Sequence, residues 1–231
     1  MTRLCLALLL CLAPALPLLA QEPEADPLTA LPVDEAEENE DFAAFRETLL
    51  EAVTARDIDA ILEMASEDMQ LSFGGAEGQE ALRAFLEVDP DQFSAERRFE
   101  APALRERNWA EFETVLRMGG VFDGDGRFIA PYTFAVTPPE GMDPFEVLFV
   151  TGSGVALRDR PIRFGAALGW LDHDILRQLD WVAGTPYVQV ETASGTKGFV
   201  HRDYLRALLD YRAIFERREG AWKLVAFIAG D

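Results

Sequence analysis

The chain has 231 residues, 49% of them hydrophobic, and sets 41 acidic side chains against 21 basic ones, for a formal charge of −20. Nucleic acid and anionic membrane surfaces are held by basic patches, so that balance excludes both as partners. The two cysteines, Cys5 and Cys11, fall in the first 20 residues. The rest of the chain therefore has no disulfide framework, no cysteine nucleophile and no thiolate metal site.

Residues 1–20 read as a secretory signal. Arg3 is followed by an almost wholly apolar run, Leu4 to Leu12, then by Pro14, Pro17 and the small-residue end Leu18-Leu19-Ala20. The run is too short and too broken by proline to span a hydrocarbon layer of about 30 Å. The expected product is periplasmic or secreted, with no stable membrane insertion once the signal is removed. Residues 21–40 combine Pro23, Pro27 and Pro32 with most of the nine acids that lie between Glu22 and Asp41. This composition predicts a disordered acidic linker.

Order is expected from Asp41, read as a helix N-cap. Phe42, Phe45, Leu49 and Val53 recur at helical spacing after it. A short second helix follows Asp57, with Ile58, Ile61 and Leu62 on one face. Met69 to Phe73 alternates like a strand, and Gly78–Leu86 and Trp109–Met118 read as helices. Val121-Phe122 and the run 128–134 flank Asp123-Gly124-Asp125-Gly126, which predicts a turn between two strands.

Pro138, Pro139 and Pro144 mark a boundary. Short strands are expected at 147–150, 175–182, 187–191 and 198–200, with 160–174 as a long loop. Two apolar runs, 211–217 and 222–228, form a closing hairpin around Arg218-Glu219-Gly220-Ala221. Two strands alone are marginal in water. The hairpin is therefore expected to pack back on residues 41–144, giving a discontinuous α+β domain (41–144 plus 207–231) interrupted by an insertion at 145–206.

The insertion carries an ordered set of fragments. Val155, Leu157, Arg158 and Pro161 open it; Tyr187 and Val190 follow; Ser194-Gly195, Gly198-Phe199-Val200 and Arg202-Asp203-Tyr204-Leu205 close it. This order resembles the bacterial SH3-like (SH3b) family over about a quarter of the chain. Tyr187 stands where the family often has tryptophan. The resemblance implies a small SH3-like β-barrel in an otherwise uncharacterised exported protein. It implies a groove for an extended peptide, with Trp181, Tyr187 and Tyr204 as aromatic walls and Phe199 in the core. Arg158, Lys197 and Arg202 are the groups expected to meet a ligand carboxylate. The partner expected is a cell-wall peptide or an envelope protein.

Catalytic signals are sparse. Asp172-His173-Asp174 has no second histidine at metal-ligand spacing, and His201 reads as a solvated rim residue. Asp123-Gly124-Asp125-Gly126 lacks the further acids of a calcium loop. Ser72-Phe73-Gly74-Gly75 is not a nucleophile elbow. No catalytic residue, metal or cofactor is therefore assigned. The leading expectation is a non-catalytic binding protein. A structural or assembly protein with an occluded groove is the alternative, and a hydrolase with an acidic cleft comes third.

Overall fold

The computed structural model describes residues 28–72 and 75–230. The predicted signal, residues 21–27 of the predicted linker, and Phe73-Gly74 lie outside the described residues.

Helix α1 (Glu40–Ala55) begins two residues earlier than expected, because Asn39 rather than Asp41 is the cap: its side chain accepts the Phe42 N–H at 3.0 Å. Asp41 instead lies in the first turn, where a negative charge suits the helix dipole. Helix α2 (Ile58–Met64) is capped by Asp57, whose carboxylate accepts the Ala60 N–H at 3.1 Å. Strand β1 (Ala65–Gln70) follows at once, earlier than the expected alternation over 69–73. Helices α3 (Gly78–Glu87) and α4 (Ala101–Arg117) come next, α4 starting a full two turns before Trp109.

These helices pack on a five-stranded sheet. Its members are β1, β2 (Val121–Phe122), β3 (Phe128–Ala130), β11 (Arg212–Arg218) and β12 (Ala221–Ile228), in the order β1-β12-β11-β3-β2. The closing hairpin thus lies between β1, which it meets in parallel, and β3, which it meets antiparallel. Its connection is only Glu219-Gly220, both at positive φ, the two-residue turn that matches strand twist. A bulge shifts register between Ile214 and Phe215. It moves β12 from even to odd inward positions, so Trp222, Leu224 and then Phe227 all reach the core.

Phe42 is the hub of that core. It is fully buried, and its ring lies 4.3 Å from Phe128, 4.9 Å from Trp222, 5.4 Å from Phe215 and 5.6 Å from Phe122, centroid to centroid.

A second, seven-stranded sheet contains β4 (Val147–Val150), β5 (Val155–Arg158), β6 (Ala167–Leu171), β7 (Ile175–Trp181), β8 (Tyr187–Glu191), β9 (Lys197–His201) and β10 (Leu205–Ala207), in the order β10-β4-β7-β8-β9-β5-β6. The chain is therefore mixed α+β, with two sheets. The second sheet is open, since β10 and β6 are edges that do not pair with each other, so no closed barrel forms. Within the sheet the β5–β9 seam is thin, a single register pair between Arg158 and Phe199. The sheet still curls around an apolar core of its own. Leu148, Val150, Val155, Leu157, Leu171, Leu176, Val188, Val190 and Val200 form one cluster drawn from β4 to β9. Phe199, expected in that core, is only half-buried; alternation sends Val200 inward instead. Strand β6 occupies the middle of the expected loop over 160–174.

Strand β4 is buried on both faces because it serves two cores. Leu148 and Val150 face the second-sheet cluster, while Val147 and Phe149 join Ala30, Tyr132, Ile175 and Leu208 in a cluster between the two halves. The same junction holds a buried ion pair. Arg206 of β10, 5% exposed in its side chain, lies 2.9 Å from Glu111 of α4.

The predicted disorder of residues 21–40 is corrected for 28–40, which form an ordered strap. The Leu28 carbonyl accepts the Ile175 N–H at 2.7 Å, and the Ala30 N–H donates to the His173 carbonyl at 2.8 Å. Further on, the Glu35 N–H donates to the Gly120 carbonyl, and the Glu35 carboxylate accepts the Phe122 N–H at 2.7 Å. The strap thus touches both sheets. Asp34 fixes it through two parallel bonds from Arg46, at 2.7 and 2.6 Å.

Burial alone would push the Asp34 carboxyl up. The Arg46 bonds, the Ala36 N–H and the Arg46 charge outweigh it and hold the carboxyl below its usual value. A depressed folded value means this stabilisation is present above the unfolded value and is lost as pH falls through the folded one. Amide exchange should therefore find the Glu35 and Phe122 N–H groups protected at neutral pH, losing protection only as pH falls below the ordinary aspartate range. Asp34→Asn should show the weaker protection at every pH. Equal protection in the variant and the wild type would contradict this role for the pair.

Candidate functional site

A cleft of about 810 Å³ opens on the second sheet. It is lined by the loop entering β5, by Pro161 to Arg163, by Trp170 of β6 and by Gly184 to Tyr187. His201, Asp203 and Tyr204 close one end, where β9 passes into a single 3-10 turn, Arg202–Tyr204.

Local sequence places each group. Gly198 lets β9 meet β5: a Cβ there would lie 2.7 Å from a Leu157 methyl and 2.9 Å from the Arg158 carbonyl oxygen. This contact sets Arg158 opposite Phe199. The Arg158 Nη1 then donates to the Gly165 carbonyl at 2.8 Å, tying down the loop that carries Pro161, Ile162 and Arg163. Alternation along β6 turns Leu171 inward and Trp170 outward, leaving Trp170 68% exposed.

The cleft end is an aromatic row. Tyr187 meets His201 edge-on with centroids 5.2 Å apart, and His201 meets Tyr204 at 6.2 Å. His201 caps the 3-10 turn: its Nδ1 accepts the Asp203 N–H at 3.3 Å. A neutral imidazole accepting at Nδ1 carries its proton on Nε2. It then presents a hydrogen-bond donor at Nε2.

Of the six residues expected at a ligand site, the cleft brings together Tyr187, Tyr204 and Arg158. Tyr187 is 7% exposed and mainly wall, whereas Tyr204 is 52% exposed. Trp181 is exposed at the end of β7 but is not among the lining residues. Lys197 lies at the far end of β9, 3.6 Å from Glu191, and Arg202 points along the rim, 3.9 Å from Asp203. Sequence reasoning missed Trp170, Ile162 and Arg163 and placed His201 in solvent. The legible signal for Trp170 was the alternation Leu168-Gly169-Trp170-Leu171, obscured by its glycine.

The acidic clusters serve turns. Asp123 accepts the Asp125 and Arg127 N–H groups at 3.0 and 2.9 Å, inside the β2–β3 connection. Asp172 accepts the Gly154 N–H at 2.7 Å, and Asp174 accepts the Asp172 N–H at 2.6 Å. Burial pushes the Asp174 carboxyl up. Among the described residues no group of three or more histidine, cysteine or acidic side chains is placed to hold a metal ion, and no helix is long and apolar enough to cross a membrane. No protein-family model, curated protein or solved structure matches the chain.

Proposed function

We propose that the second sheet is an SH3-type module of an exported, periplasmic or secreted protein, and that its cleft binds an extended peptide or protein segment without catalysis. The carrying observation is the open cleft, walled by Trp170 and Tyr204 with more than half of each side chain exposed. Exposed aromatics bring a large apolar area and little rotamer entropy to a wet groove, which is why such grooves accept extended chains. The order of Arg158, Pro161, Tyr187, Gly198 and Tyr204 supports the SH3-type reading. Cell-wall peptides and envelope proteins are the partners that fit the exported setting.

A structural role, in which the module only packs against the rest of the chain, draws on the buried junction around Phe149 and Arg206. That junction and the cleft share no residue, so packing leaves the cleft uncovered. The two roles are compatible, and binding is the reading that accounts for the exposed aromatics.

Calorimetric titration with peptides released from bacterial envelopes should give saturable binding. Trp170→Ala should weaken it by about 2 kcal/mol, roughly 30-fold, with unchanged folding. Equal affinity in the variant, or no binding to either protein, would sink the proposal.

A further inference from the structure

The arginines of this chain are mostly spoken for. Acids outnumber bases about two to one, and ion pairs engage Arg46, Arg56, Arg83, Arg127, Arg206 and Arg217 among others. Arg105 and Arg107 of α4 are not among them, and neither are two arginines that line the same cleft. Among the described residues neither Arg158 nor Arg163 has a carboxylate partner. The contact of Arg158 is the Gly165 carbonyl, and that of Arg163 is the Phe164 ring, 6.0 Å from its guanidinium carbon. Asp203, the acid in the lining, is turned to others: its carboxylate lies 3.9 Å from Arg202 Nε, and its backbone N–H donates to His201 Nδ1.

The donor inventory points the same way. Each guanidinium offers five N–H donors and no acceptor, and Arg158 has given only one to Gly165. His201 adds the Nε2–H fixed by its capping bond. The cleft therefore holds surplus donors and positive charge on a chain of formal charge −20. Leaving such groups without an anion inside an acidic molecule has no structural gain in view, because Arg163 is exposed and holds nothing together.

Resting on the peptide-groove reading, we infer that the ligand is anionic at the anchoring point, and that Arg158 and Arg163 receive a carboxylate of the bound peptide. Arg158 is the pre-set partner, held by its loop bond, and Arg163 is the exposed rim partner. Guanidinium and carboxylate match as planar, two-point partners, so a lysine at position 163 is a poor substitute.

The test uses one peptide pool in two forms, on the full mature chain. Peptides released from bacterial envelopes by protease and muramidase are titrated untreated, and after carbodiimide coupling to methylamine, which converts each carboxylate to a neutral amide. The untreated pool should half-saturate the cleft resonances at a concentration at least tenfold lower. Arg163→Gln should abolish that preference, and Arg163→Lys should restore only part of it. If both pools bind wild type equally, or if R163Q keeps the preference, the carboxylate receptor is wrong while the groove reading stands. If neither pool perturbs the cleft, both fall.

Discussion

Phe42→Ala is expected to be the most damaging single truncation in the first domain, at about 3–5 kcal/mol. The ring is fully buried and touches aromatic side chains from β2, β3, β11 and β12. Neighbouring rings are too rigid to collapse into the space, so most of the cavity would persist. Against a typical total of about 5–15 kcal/mol, such a loss is a large fraction of stability. Thermal unfolding should move down on the order of 10 °C. Because the strap runs directly into α1, its amide protection should fall with it. A loss below about 1 kcal/mol in denaturant unfolding would contradict the hub role of Phe42.

The second large effect belongs to the junction. Glu111→Ala would leave the Arg206 guanidinium buried without its carboxylate, and arginine cannot discharge itself by losing a proton. About 3 kcal/mol is expected. Glu111→Gln should behave differently, within about 1 kcal/mol of wild type, since it keeps an acceptor. Burial pushes the Glu111 carboxyl up despite the Arg206 charge. A raised folded value contributes stability below the ordinary glutamate value, lost as pH rises through the folded one. The amide variant should therefore lose that pH dependence. Urea unfolding of both variants at several pH values checks this, and equal damage from Ala and Gln would argue against it.

These two sites show which parts of the molecule sequence reasoning can reach. The stripe Phe42, Phe45, Leu49 and Val53 carries its own period, and the hairpin 211–228 carries its own turn, so both were legible from local pattern. Residues 28–40 were not. Their acidic, proline-containing composition argues for disorder, while the groups that hold them lie far along the chain: Arg46, Gly120, Phe122 and the 173–175 turn. Strand β6 was hidden because it is an edge, paired to β5 alone and interrupted by Gly169.

The cleft was legible in part for a geometric reason. Tyr187 pairs with His201 and Glu191 with Lys197, so the β8–β9 hairpin separates Lys197 from the cleft end by four residues, about 13 Å. A motif read along the chain names Lys197 and Tyr187 alike; only the register tells them apart. Trp181 fails differently: it stands at the end of β7 opposite Val188, the residue after Tyr187, yet is not among the lining residues. His201 needed the capping bond, which no sequence pattern displays.

The central claim is that an extended peptide occupies the cleft between Trp170 and Tyr204. An NMR titration of the labelled mature chain with envelope-derived peptides tests it most directly. The expected result is saturable shifts confined to Gly154, Arg163, the Trp170 indole, Tyr187, His201 and Tyr204, with the α1–α4 resonances unmoved. Shifts centred on the helices, or an unperturbed cleft at saturating peptide, would contradict it.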